Sequence, residues 1–157
     1  MSAWMKTLHW KKILIAGFWY TVVAEVMMQV EIFFTMKYYQ DPAFFGLWSK
    51  VMMPDSPAGG PAAGSPPISF FLISLLFTYL TGCTLAAVFE FIHSLFGKNY
   101  WGKVIGFTDI LVGLAIVFAT FPMYLLFNVP IALLAWWLGA SWITIFISTT
   151  IFVKVLR

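Results

Sequence analysis

The hydrophobic positions of this chain gather into four long runs, at about residues 13–36, 68–91, 104–127 and 130–153, set apart by segments rich in charge, proline or glycine. Each run is long enough to cross roughly 30 Å of hydrocarbon as a helix, which takes about 20 apolar residues. The connection between the first two is long, 37–67, whereas 92–103 and the Asn128-Val129-Pro130 break are short. Short connections make neighbouring helices antiparallel. The pattern therefore predicts an all-α integral membrane protein, an antiparallel four-transmembrane-helix bundle, with residues 1–157 forming a single transmembrane domain and 37–67 an external loop.

Within that loop, residues 41–53 have helical spacing: Asp41 suits an N-cap, Pro42 the first helical position, and Phe44, Leu47, Trp48, Val51 and Met52 recur on one face. A short amphipathic helix lying flat on the outer membrane surface is expected. Residues 54–67 hold five Pro and three Gly with almost no large side chain, the composition of an extended tether. Their spacing fits no PxxP groove ligand closely, which favours a tether over a peptide-recognition motif. Pro122 is expected to kink or end the third span, and Asn128 with Pro130 to start the fourth.

Composition strengthens the membrane reading. The chain is 62% hydrophobic and only 10% charged, too few charges for a water-facing surface, which excludes soluble enzymes, nucleic-acid readers, coiled coils and disordered proteins. The net charge of +3 belongs to the flanks of the spans. Lys6, Lys11, Lys12, Lys98, Lys103, Lys154 and Arg157, seven of the nine cations, fall on one side, and Lys37 and Lys50 on the other beside Asp41 and Asp55. By the positive-inside rule both termini are cytoplasmic and the location is the inner (plasma) membrane. The first 24 residues imitate a secretory signal, but the apolar run continues past Ala24 to Met36, so no cleavage is expected and the segment is read as span one. Trp4, Leu8 and Trp10 among Lys6, His9, Lys11 and Lys12, and Tyr100 and Trp101 between Lys98 and Lys103, suit the headgroup level and anionic lipid. Cys83, the only cysteine, excludes an intrachain disulfide.

Four of the six acids, Glu25, Glu31, Glu90 and Asp109, fall inside or at the margin of a span. Each costs roughly 2.5 to 3.5 kcal/mol at a helix centre on insertion scales, so they are expected to face protein or a wet cavity. Helical periodicity places small and polar residues together: Gly17, Thr21, Glu25, Met28 and Gln29 in span one; Cys83, Ala86, Ala87, Glu90, His93 and Ser94 in span two. Span three offers Gly106, Asp109, Gly113 and Thr120, and span four Gly139, Ser141, Thr144 and Ser148. Close packing of small residues and interhelical hydrogen bonds from hydroxyls account for these faces without any function. The sharper alternative is a proton or ion path through Glu25, Gln29, Glu31, Glu90, His93 and Asp109, interrupted because Glu31 lies about 120° around the helix from Glu25 and is positioned to reach Lys37.

Glu90-x-x-His93 is the carboxylate–imidazole spacing of bundle metal sites, but a di-iron centre needs it twice. A mononuclear site would add Asp109 or Glu25, and bis-histidine haem would need His9 beside His93; the simpler reading is a hydrogen-bonded Glu90–His93 pair. No metal is assigned and no cofactor is expected. There is no internal repeat, no Gly-rich phosphate loop, no G-x-S-x-G, no C-x-x-C and no H-E-x-x-H. Trp136, Trp137 and Trp142 are unusually central for an aromatic belt and pack against helices or line a hydrophobic pocket. The sequence thus reads as a non-enzymatic membrane subunit or lipid-embedded binding or scaffold protein. A proton-coupled or ion-conducting carrier, and a metal or haem protein, are the alternatives. Its partners would be membrane lipids, further copies of itself or a larger membrane complex, not nucleic acid.

Overall fold

The computed structural model describes residues 8–39, 41, 68–127 and 129–156. The expected interfacial helix, Asp41 apart, and the Pro/Gly tether lie outside these residues, as does the Asn128 start signal. The described chain forms α1 (Trp10–Tyr39), α2 (Ile68–Ile92), a 3-10 turn (His93–Phe96), α3 (Tyr100–Ala115), a π turn (Ile116–Thr120), α4 (Phe121–Leu126) and α5 (Ile131–Val155), with no strand among the described residues. Among the described residues, four stretches are long and apolar enough to cross a membrane: Trp10–Tyr39, Ile68–Phe96, Tyr100–Leu126 and Ile131–Val155. Helices answer the demand that a backbone in hydrocarbon satisfy its own hydrogen bonds. The 30 residues of α1 span about 45 Å, so it must tilt or carry its ends into the headgroups.

Helix ends follow backbone chemistry more than charge. Lys11, Lys12 and Lys103 are helical although they were expected to flank the spans. The second connection shrinks to residues 97–99, where Gly97 takes φ 78° with ψ −173°, a positive-φ conformation open to almost no residue but glycine. Pro122 does not end the third span, which continues to Leu126. Its missing N–H is absorbed by the preceding π turn, in which the Phe121 N–H donates to the Ile116 carbonyl five residues back. At the start of α5 the Pro130 carbonyl accepts from the Leu133 and Leu134 N–H groups at 2.9 and 3.1 Å.

Across the molecule the helices lie in the order α2, α1, α5, α3: α1 packs on α2 and on α5, and α3 on α5. The start of α1 sits beside the ends of α2 and α5, forming a core of Leu8, Ile13, Ala16, Ala86, Phe89, Val104, Phe107, Phe152 and Val153. There Phe89 of α2 meets Phe107 of α3 edge to face with ring centroids 5.1 Å apart, and Phe152 of α5 at 6.1 Å. Because Lys11, Lys12, Lys98, Lys103 and Lys154 cluster near these residues in sequence, we call this the basic end. Towards the opposite end the helices part. No residue of α2 before Gly82 is buried, and none of the π turn or α4 is, whereas α1 and α5 stay joined through Phe34 stacked on Trp136 at 4.9 Å.

Two glycines set the tightest contact. A Cβ on Gly17 would collide with Cys83 Sγ, and one on Gly82 would lie 2.8 Å from Tyr20 Cβ and 2.9 Å from the Gly17 carbonyl oxygen. Small residues thus bring α1 and α2 together as expected, although Gly82 was not among the anticipated positions. The hydroxyls behave otherwise. Thr21, Thr78, Thr84 and Thr144 each donate to the carbonyl four residues back on their own helix, at 2.8 to 3.0 Å, instead of bridging helices. That carbonyl is the nearest acceptor in a medium that offers no water.

Candidate functional site: a carboxylate-walled cavity between α1 and α5

Residues 31, 35 and 39 are spaced by four, which stacks them along one face of α1. Glu31 and Thr35 are buried, and Tyr39 is half-buried. The Thr35 hydroxyl donates to Glu31 Oε1 at 2.6 Å and also lies 2.8 Å from the Glu31 carbonyl oxygen; the Tyr39 hydroxyl donates to Oε1 at 3.2 Å. From α5, Trp137 Nε1–H donates to the Tyr39 oxygen at 3.0 Å. An indole N–H can only donate, so Tyr39 accepts from Trp137 and passes its own hydrogen to Glu31. The network fixes the carboxyl group and ties α1 to α5 at the end remote from the basic cluster.

Deeper along the same seam is an open cavity of about 350 Å³. From α1 it is lined by Tyr20, Ala24, Met27, Met28 and Glu31, from α5 by Trp137, Ala140, Ser141, Thr144 and Ile145, and from the end of α3 by Ala115. The space exists because alanines occupy facing positions on three helices, where larger side chains would have closed it. Glu31 is only 8% exposed, yet it forms part of this wall. Thr144 has committed its hydrogen to the Ala140 carbonyl and Trp137 to Tyr39, so the side-chain donors left on the wall are the Tyr20 and Ser141 hydroxyls, which can also accept. Among the described residues, no Lys, Arg or His lines it.

The other acids are scattered. Glu90, at the end of α2, has a side chain 9% exposed; its carboxylate accepts from the His9 backbone N–H at 3.2 Å and lies 2.5 Å from His9 Nδ1. A carboxylate from one helix thereby occupies the N-terminus of another, where orphan N–H groups and the helix dipole favour negative charge. His93 does not pair with the Glu90 side chain, contrary to expectation: its Nδ1–H turns back to the Glu90 carbonyl at 2.7 Å. His9, just before α1, is the residue that reaches Glu90.

Glu25 is half-buried, whereas Gln29 and Asp109 lie on the exposed surface of the chain, not between helices as expected. Val104, Phe107, Thr108 and Leu111 set the inner face of α3, which leaves Asp109, about 100° further round, pointing away. Gly113 and Gly139 likewise have nothing within 4 Å of a notional Cβ. Glu31 does not reach for Lys37, whose ammonium sits 5.0 Å from the Tyr38 ring centroid. Between His9 and Glu31 the rise of α1 is about 33 Å, with Glu25 the only acid of that helix in between. The anticipated ladder is thus two separate clusters.

Among the described residues, no three of His, Cys, Asp and Glu converge as a metal-binding group. Trp136 stacks on Phe34 and Trp142 on Phe146, while Trp137 belongs to the cavity and its network. Thr35, Tyr39 and Tyr20 were absent from the sequence-level candidates; the i, i+4, i+8 spacing with Glu31 was the available signal for the first two. No family model matches the chain, and neither a curated protein nor a solved structure is detectably similar to it.

Proposed function

We propose that the protein is a small membrane subunit or lipid-embedded binding protein of the inner (plasma) membrane, without catalytic activity of its own. Its four helices run antiparallel with both termini cytoplasmic, and residues 41–53 lie as an interfacial helix on the outer face. The observation that carries this reading is the uneven packing. The chain's own core is concentrated at the basic end, while α2 before Gly82, the π turn and α4 present apolar side chains such as Phe77, Phe118 and Leu126, 65–75% exposed, to whatever surrounds them. Lipid, a second copy or a partner helix covers such a surface in a bilayer, where helix association rests on packing and not on escape from water.

Lys11, Lys12, Lys98, Lys103 and Lys154, all near the basic end, favour anionic headgroups there, each by about 1 kcal/mol when near the membrane surface. The antiparallel arrangement is supported by the pairing of early α1 with late α2 and late α5, as in His9 with Glu90 and Gly17 with Cys83, and of late α1 with early α5, as in Tyr39 with Trp137.

Gentle extraction into a mild detergent followed by native mass measurement tests the proposal. A species heavier than the 17.8 kDa chain, carrying lipid, further copies or another membrane protein, is expected. A bare 17.8 kDa monomer that re-forms no such complex in bilayers of its native lipid would overturn it.

A further inference from the structure

We propose that the cavity between α1 and α5 is a binding site for a monovalent organic cation, an amine carried on a compact apolar body. This deepens the lipid-embedded binding reading by naming a ligand class for one site. Glu31 supplies the anchor. A carboxylate offers about four lone-pair positions, of which the Thr35 and Tyr39 hydroxyls, both on Oε1, take two; the approach of Tyr39 to Oε2 is 3.5 Å, at the limit of a hydrogen bond. The second oxygen therefore keeps acceptor capacity.

Charge and chemistry point the same way. A buried carboxylate with no cation beside it among the described residues is costly in a low-dielectric setting, and an ammonium brought to Oε2 would offset that cost. The remaining polar capacity of the wall, in Thr144 and Ser141, accepts from such a donor. Tyr20 and Trp137 present aromatic rings, and Met27 and Met28 polarisable thioethers, which suit a cation joined to an apolar frame. An anionic ligand would find no positive partner. A volume of about 350 Å³ lies at the small end of ligand cavities, roughly 300–1,000 Å³, which limits the body to about the size of a fused bicyclic ring.

The test uses the full-length protein in lipid nanodiscs, with naphthylethylamine as probe, naphthylethanol as its neutral counterpart and empty nanodiscs to subtract partition into lipid. Calorimetric titration is expected to show saturable one-to-one binding of the amine at least tenfold tighter than the alcohol. Glu31→Gln should remove that preference while leaving the alcohol unchanged. Because Glu31→Gln also disturbs the Thr35 and Tyr39 contacts, Ala140→Leu provides an independent arm. It fills the cavity while leaving every donor and acceptor of the Glu31 network in place, and it should abolish saturable amine binding. The proposal is overturned if the alcohol binds as tightly as the amine, if Glu31→Gln changes amine affinity less than twofold, or if binding survives Ala140→Leu. Such a failure leaves the subunit reading untouched, since that reading stands on what co-purifies with the chain.

Discussion

Gly82→Ala adds one methyl group at the closest approach of α1 and α2, and the structure fixes what it meets. The new carbon would lie 2.8 Å from both Cβ and Cδ1 of Tyr20 and 2.9 Å from the Gly17 carbonyl oxygen. Carbon atoms normally settle about 3.5 to 4.0 Å apart, so the shortfall against Tyr20 is about 0.7 Å or more. Rotating the Tyr20 ring relieves Cδ1, but Cβ and the Gly17 carbonyl move only if the helices separate. Overpacking of this kind costs about 1–3 kcal/mol, and replacing a helical glycine by alanine returns about 1 kcal/mol, so a net destabilisation of up to about 2 kcal/mol is expected. Gly139→Ala is the control with the opposite sign: nothing lies within 4 Å of its Cβ, so only the propensity gain remains and the variant should match the parent or exceed it by up to about 1 kcal/mol. SDS-driven unfolding in mixed micelles, followed by tryptophan fluorescence and far-ultraviolet circular dichroism, ranks the two variants against the parent. Maleimide labelling of Cys83, half-buried against Gly17, reports whether α1 and α2 have parted. If Gly82→Ala proves as stable as Gly139→Ala and labels no faster than the parent, the close approach, and with it the α1–α2 pairing, is wrong.

Glu90→Ala removes the acceptor for the His9 backbone N–H and imidazole, and loss of such a cap should cost about 1–2 kcal/mol, concentrated in the first turn of α1; unchanged amide-exchange protection over residues 10–13 would refute the capping role. Thr108, Ser148 and Thr149 hold buried hydroxyls with no hydrogen-bond partner, so Thr149→Val, which keeps the shape and removes the hydroxyl, should leave stability unchanged or raise it by up to about 1–3 kcal/mol. A loss greater than about 1 kcal/mol in the same SDS titration would mean that the hydroxyl is bonded.

How much of this was legible beforehand follows from which forces a sequence records. The four spans were readable because hydrocarbon thickness and obligatory backbone bonding act on length and apolarity alone, and both are written in one dimension. The helical termini missed by a few residues, at Trp10 and Tyr100 above all, because lysines snorkel from within a helix instead of ending it. Pro122 announced a disturbance without revealing that a π turn would absorb it.

The rotation of each helix was a matter for tertiary structure. Lipid tails are as apolar as the core, so α1, α2 and α5 carry almost no net amphipathicity and hydropathy does not mark an inner face, although the small and polar positions Gly17, Thr21, Ala86, Thr144 and Ser148 are buried as their spacing suggested. Grouping polar residues by spacing placed Asp109 and Gln29 between helices, whereas shape complementarity at Phe107 and Val104 turned the first outward. The same spacing directed Glu31 towards Lys37, whereas Thr35 and Tyr39, the latter held by the facing Trp137, captured it. The sequence alone determined that the chain spans a membrane and which acids are costly to keep there. Only the packing of α1 against α5 decided that one of those acids borders a cavity, because a void is a property of facing surfaces and no single strand of text contains it.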